Sequence, residues 1–399
     1  MFLSYDETLK NMLKAVPKWR VKERVPLSGA FGRVLAVDVR AEAACPEFAT
    51  ASMDGYACKA ADLKEGAMLK VVGALPAGSE PSVAVGAGEC VKTFTGSLMS
   101  EGADTLLPIE NVTAEGDGIW VDKPVSAGFA VRAVGESYEE GELLLSRGAE
   151  LGFSEIALLA ELGLSWIDVL ARPRVGILST GSEICDLGAR KSRKSQIYSS
   201  NNVAIATLVR SLGCEALMLP VVADNVTALK EAIEGAIASC DFLVTTGGVS
   251  VGDFDFMRDF VKSRGELLVD KAAIKPGRHI KVAKMEGKFI FALPGFAYSS
   301  AVTFLLYFRE FLAAMLGTGR GYRFKAVLAN DYAKKSPFEE FSAATLVNEN
   351  GTLKISTQGM KRGSSAIISN LNKNAVLLVC PQNRADGLKA GEIVEFIQI

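Results

Sequence analysis

Hydrophobic residues fall in short unbroken blocks through the middle of the chain, and striped amphipathic stretches separate the blocks. RVGILST (174–180), EALMLPVV (215–222), DFLVTTGG (241–248) and FIFALPG (289–295) are near-continuous apolar runs. Such runs mark strands buried on both faces. Between them, NNVAIATLVRSLG (201–213) reads as a helix, and 226–238 sets Val226, Leu229, Ile233 and Ile237 on one helical stripe. A helix around 256–264 and a strand near 266–270 complete the alternation. Strand and helix taking turns in this way predict a doubly wound, largely parallel sheet over 172–318.

The flanking pattern differs. Residues 1–40 look mostly helical, and a helix returns within 150–164. Between them, over 41–134, short apolar runs such as LKVVGALPAG and DTLLPIE are cut by Gly and Pro, the spacing of a small β-rich domain. That block is thus inserted between two pieces, 1–40 and 135–171, of one helical domain. Residues 319–399 carry β-like runs (FKAVLA, TLKIST, AVLLVC, EIVEFI) and predict a C-terminal β domain. The expected class is α/β plus β, multidomain, with a central doubly wound α/β domain. The long apolar stretch 297–316 is interrupted by Arg309 and Glu310, so it reads as a buried helix rather than a membrane span.

Composition narrows the function. A net charge of −2 over 399 residues removes a global electrostatic case for nucleic-acid binding. Seven cysteines, an odd number with no Cys-x-x-Cys pair, read as reduced thiols rather than a disulfide framework or zinc site. One histidine, His279, makes a histidine metal cluster or a Ser/His triad improbable, and taken singly it reads as structural. The first residues lack the charged-then-apolar order of a secretion signal, so a cytoplasmic location is expected.

Ligands of open α/β sheets bind outside the carboxyl ends of the strands. Four segments meet that condition: STGSE (179–183), VADN (222–225), TTGGVSVGDFD (245–255) and LPGF (293–296). Gly247, Gly248, Ser250 and Gly252 suit a phosphate cradle, since glycine lets backbone N–H groups approach an anion and a helix start adds positive potential. The plainer alternative for each loop is a turn. Glu183, Asp224, Asp253 and Asp255 lie at the same rim. Asp224 and Asp255 suit Mg²⁺, which takes one or two carboxylates plus phosphate and water oxygens. They suit helix capping equally well. Met53-Asp54-Gly55-Tyr56 and Thr95-Gly96 are either turns or reactive loops, and Lys275 and Arg278 in KPGRH are either oxyanion-binding cations or a solvated turn.

Taken in order, these residues carry a resemblance. PEFATASMDGYA, TGSLMSEGADTLLPIE, RPRVGILSTGSEI, QIYSSN, TTGGVSVGDFDF, KPG and LPG resemble, at similar spacing, the segments of the MoeA family of molybdopterin molybdenumtransferases and of the gephyrin E domain. The resemblance covers essentially the whole chain. It implies a homodimer in which a molybdopterin-binding α/β domain faces the β domain of the second copy. Asp54 and Thr95 would then reach into the partner's site. Ser182, Glu183, Asp224, Gly247, Gly248, Ser250, Asp255, Lys275, Pro276, Pro294 and Gly295 would line the main site, with Arg278 as a further cation. Asp54, Glu183, Asp224 and Asp255 are the implied catalytic acids, and Asp224 and Asp255 the implied Mg²⁺ ligands. The implied reaction inserts molybdate into adenylylated molybdopterin and releases AMP. The implied partners are a second copy, the pterin and oxyanion substrates and the molybdopterin adenylyltransferase, with no nucleic acid and no membrane.

The chain departs from the family pattern at several points. The family's L-P-G-N-P is LPGFA here, K-P-G-K-P is KPGRH, and Gly-Glu-Asp is Gly135-Glu136-Ser137. Tyr-Asp-Ser-Asn becomes Tyr198-Ser199-Ser200-Asn201, a proline becomes Ser100, and Q-G-S-G expands to QGMKRGSS. These changes keep a divergent paralogue in view, one that binds the pterin with little turnover, prefers tungstate or acts as a scaffold. A nucleotide hydrolase sharing only the α/β domain is disfavoured by the MDGYA block outside that domain.

Overall fold

In the computed structural model, which describes residues 2–223, 225–247, 264–319, 321–361 and 366–399, every apolar block of the central region is a strand. Arg174–Ser179, Glu215–Met218, Phe242–Thr246 and Lys288–Leu293 run parallel, and Lys281–Met285 and Gly265–Val269 extend the same sheet antiparallel. Successive side chains of a strand point to opposite faces. Ile177, Val244 and Phe291 therefore share one apolar layer with Ile205 and Val209 of the Ser200–Ser211 helix, and with Phe308 and Phe311. Leu178, Leu243 and Ile290 share the other with Leu229, Ile233 and Ile237 of the Val226–Ser239 helix. Both faces are covered, which is why the strands read as unbroken apolar runs. Of the helix expected around 256–264, residues 256–263 lie outside the described residues.

The Lys281–Met285 strand escaped the sequence pattern. Its two lysines break the apolar run, although Lys281 itself is buried and its ammonium is neutralised by Asp270. The helix Ala297–Leu316 is long and apolar enough to cross a membrane, but 78% of its most apolar window is buried within the protein. The reason is its aromatic face, which packs on the sheet.

The chain divides into two compact units: 1–36 with 148–152 and 166–399, and 37–147 with 153–165. Besides the central sheet, the larger unit holds a closed β-barrel. Glu339–Glu349, Thr352–Ser356, Arg323–Leu328, Ile393–Gln398 and Ala375–Cys380 follow one another, and the last pairs back onto the first. Phe396, Leu378, Ile355 and Leu328 fill it. The smaller unit is built on a six-stranded sheet with Gly55–Cys58 and Glu89–Thr93 near its centre. Tyr56, Leu69, Leu107 and Ile119 form its core.

The mostly helical expectation for 1–40 needs correction. Among the described residues there, only Tyr5–Lys14 is α-helical, started by a Ser4–Glu7 capping box. Lys22–Pro26 is instead a strand paired antiparallel with Trp166–Leu170. Its Lys-Glu-Arg-Val-Pro sequence has too little apolar content to announce a strand. The helix expected within 150–164 is Phe153–Glu161. All seven cysteines are free thiols. Burial pushes the Cys214 thiol up to about 12, so it stays protonated and unreactive.

Candidate functional site

A cavity of about 650 Å³ opens at the carboxyl ends of three central strands. Ser179 and Thr180 leave the first strand there, Thr246 and Gly247 the second, Pro294 and Gly295 the third. Thr180 N–H donates to Thr246 O at 3.0 Å, and Asn201 Nδ2 donates to Gly295 O at 2.7 Å. Ser179 Oγ bonds the Asn202 side chain and Thr246 Oγ1. These ties hold the three strand ends and the start of the Ser200–Ser211 helix as one rim. Gly247 has φ +85°, and a Cβ there would drive into the Thr180 carbonyl oxygen. The rim therefore requires glycine at this position.

Glu183 lines the cavity. Its carboxylate oxygens lie 2.8 Å from where a Gly181 Cβ would sit, so Gly181 is what lets the side chain fold back over the loop. Pro294 and Gly295 join Glu183 and Gly247 in the lining as expected from sequence, and Thr180, Tyr198, Ser199 and Phe296 are added to it. The signal for Thr180 was a hydroxyl directly after an apolar strand. Ser199 was visible only as a departure from the family pattern, and Phe296 both as a departure and as the end of the LPGF segment. Ser182 is not in the lining, and its carbonyl accepts from Arg193 Nη2 at 2.8 Å. Arg278 reaches the cavity through a neighbour: its Nε donates to His279 Nε2 at 3.0 Å, and His279 is in the wall. Burial, and after it the charges of Arg278, Lys271 and Lys281, hold the His279 imidazole below its ordinary pKa. The lone histidine is thus a neutral wall group of this cavity.

Lys275 and Pro276 line a different cavity of the same unit, of about 260 Å³, between the Ile274–Lys275 strand and the barrel. Lys275 Nζ lies 3.2 Å from Glu340 Oε1. Burial raises the Glu340 carboxyl, but hydrogen bonds from Tyr332 and Ser336 and the charge of Lys275 outweigh it and hold the group low. The lysine expected beside Glu183 is therefore placed on a second pocket, because the strand that carries it joins the barrel sheet through Glu339 and Glu340. Asp224, Gly248, Ser250 and Asp255 lie outside the described residues.

Asp54 and Thr95 meet in the smaller unit. Asp54 Oδ1 accepts from both Thr95 N and Thr95 Oγ1, each at 2.8 Å. These two bonds hold the exposed Asp54 carboxyl below its ordinary pKa. Replacing Thr95 by Val is expected to raise that pKa part of the way back, the backbone donor remaining. A carboxyl resonance of Asp54 that titrates identically in wild type and Thr95→Val would refute the assignment.

The fold and the rim define a protein with a cleft at the carboxyl ends of the parallel strands of an α/β sheet, in a unit that also holds a β-barrel. Known proteins agree with this class. The chain matches the family models described as MoeA N-terminal region (domain I and II) over residues 3–163, probable molybdopterin binding domain over 176–314, and MoeA C-terminal region (domain IV) over 325–399. A molybdopterin molybdenumtransferase of Haemophilus influenzae is 30% identical over 397 residues, 98% of this chain and 97% of that one. Another, from Nostoc, is 32% identical over 80% of this chain and 76% of its own length. The crystal structure of a molybdopterin biosynthesis MoeA protein from Pyrococcus horikoshii OT3 superposes with a TM-score of 0.85 at 30% identity, covering both chains completely. The chain belongs to the MoeA family.

Proposed function

We propose that the chain is a molybdopterin molybdenumtransferase of molybdenum cofactor biosynthesis, inserting molybdate into adenylylated molybdopterin and releasing AMP. The observation that carries this reading is the 650 Å³ cavity, where Gly247, Glu183 and the Pro294-Gly295 turn converge with buried hydroxyls. A pterin dithiolene that carries phosphates, meeting a dianionic oxyanion, needs such aimed dipoles to offset repulsion. The dithiolene belongs to the substrate, so the protein needs no catalytic thiol, and its free cysteines are mostly buried.

Mg²⁺ is the metal we propose to accompany the substrate's phosphates. Among the described residues no cluster of three or more His, Cys, Asp or Glu could hold a metal. A magnesium ion that completes its shell with substrate phosphate and water does not need one. Asp224 and Asp255 would hold it, with Glu183 in the described wall. When bound, the ion would neutralise charge on the phosphoanhydride. The chain's own groups bind and orient: Gly247 keeps the rim open to an anion, and Asn201 fixes the Gly295 turn. We assign Asp54 and Thr95 to the site of a second copy of the chain, and the working location to the cytoplasm. We assign Lys275 and Pro276 to substrate binding, and the molybdopterin adenylyltransferase is a further partner. The four-part division at 1–40 with 135–171, 41–134, 172–318 and 319–399 is retained as our domain scheme.

Purified protein given Mg²⁺, molybdate and adenylylated molybdopterin is expected to release AMP and retain molybdenum on the pterin. Chelation of divalent metal is expected to slow this at least about tenfold. Absence of AMP release, with pterin still bound, would transfer support to the divergent, weakly active paralogue that Phe296 and Ser199 favour.

A further inference from the structure

A strongly basic run of the chain stands at the mouth of the 650 Å³ cavity. Residues 190–194 read Arg-Lys-Ser-Arg-Lys, in a chain whose net charge is −2. They belong to the loop 186–196, whose single carboxylate is Asp186. Both feet of that loop are cavity wall. It leaves from the Ile184–Cys185 strand and returns in the Ile197–Tyr198 strand, and the two pair in parallel. Ile184, Ile197 and Tyr198 all line the cavity.

A run of like charge is most often a solvated segment that repels itself. Here the run is held in shape and tied to the wall. Gln196 Oε1 accepts from Ser192 N at 2.7 Å and from Arg193 N at 3.2 Å, which folds the loop back on itself. Arg193 Nη2 donates to the carbonyl of Ser182, the residue before Glu183. The Lys191 ammonium lies 4.5 Å from the centre of the Tyr198 ring. All four cations are exposed, and among the described residues none of them is in an ion pair. An anion that comes to the loop relieves their mutual repulsion.

The wall does not supply such cations itself. Its described lining residues include the Glu183 carboxylate and no lysine or arginine. A phosphate-bearing ligand that enters meets a like charge at Glu183. The positive charge that offsets this repulsion stands outside, on the loop. Charges of one sign around a cleft focus the field and raise the rate at which an oppositely charged ligand arrives.

We propose that the loop 186–196 is a cationic collar that draws the phosphate-bearing substrate to the cavity, and that Arg190, Lys191 and Lys194 set the rate of its capture. The collar rests on the cavity being the substrate site of the proposed transfer. Its charges act on the approaching ligand, so they govern association rather than the contacts made once the ligand is bound.

Association and dissociation of adenylylated molybdopterin on the immobilised full-length protein test this. One variant combines Arg190→Gln, Lys191→Gln and Lys194→Gln, and a second combines Lys191→Arg and Lys194→Arg. Arg193 is kept because its bond to Ser182 shapes the loop. The replaced side chains are exposed, so both variants should melt as the wild type does. At low salt the neutralised variant is expected to associate at least about tenfold more slowly, with dissociation unchanged. The gap should close at about 1 M salt, where the screening length is roughly 3 Å. The arginine variant should keep the wild-type rate. Equal association by the neutralised variant, wild-type association that salt does not slow, or an equal loss in the arginine variant would overturn the proposal. A protein that captures the pterin through these cations but releases no AMP leaves the collar standing and rejects only the proposed reaction. Transfer by the wild type, with capture unmoved by neutralising the loop, rejects the collar alone. A wild type that binds no pterin rejects both.

Discussion

Glu183→Gln is expected to lower turnover by roughly 10²-fold while the protein melts as the wild type does, the magnitude lost when one fixed charge is taken from a preorganised site. The side chain keeps its shape and its place over Gly181, where the absence of a Cβ leaves it room. It lines the cavity rather than the core, so folding does not depend on its charge. What goes is a negative group able to orient or accept a proton, or to sit beside a bound divalent ion, at the rim where the substrate's phosphates would lie. Removing that charge is also expected to leave AMP binding intact or tighter. Turnover equal to wild type in the transfer assay would remove Glu183 from the chemistry and leave it as a loop-shaping residue.

Phe311→Ala carries the largest expected stability cost. Phe311 is fully buried, and its ring centroid lies 4.6 Å from that of Phe289, 5.2 Å from Phe291 and 5.3 Å from Phe242. These three rings belong to two neighbouring strands of the central sheet, so one side chain fastens the long helix to both. Truncation removes the transfer energy of the ring and leaves a void that a rigid sheet cannot close. The expected cost is about 3–5 kcal/mol, or a fall on the order of 10 °C in the melting of the larger unit. Phe153→Ala, at a site 83% exposed, serves as control and should leave the melting unchanged. A Phe311→Ala protein that melts with the control would mean the helix is held elsewhere. The site should suffer too, because the same helix begins at the cavity wall.

Much of the site was legible before any coordinates. Glycine, hydroxyl and acid directly after an apolar strand pointed to Glu183, Gly247, Pro294 and Gly295, and all four line one cavity. The Asp54–Thr95 pair was named as two separate loops, and folding brings them to 2.8 Å. Lys275 lines a second pocket that motif order did not announce, since the strand bearing it is drawn to the barrel by pairing with Glu339 and Glu340. Nor did hydropathy find the Lys22–Pro26 and Lys281–Met285 strands, whose charges mask the pairing that defines them.

The sequence by itself determined the local and the periodic: which runs are strands buried on both faces, where a helix stripe lies, and which loops put glycine, hydroxyl and acidic residues at the sheet rim. Those properties follow from side-chain spacing and from backbone groups that neighbours along the chain must satisfy. Only the tertiary structure decided that Lys275 faces Glu340 in its own pocket, that Thr95 donates to Asp54, and that the Thr180 and Ser199 hydroxyls are buried with no partner among the described residues. Each of these is a contact, or a missing contact, between residues far apart in sequence. Its energy depends on which surfaces the fold brings together, and no local pattern encodes that.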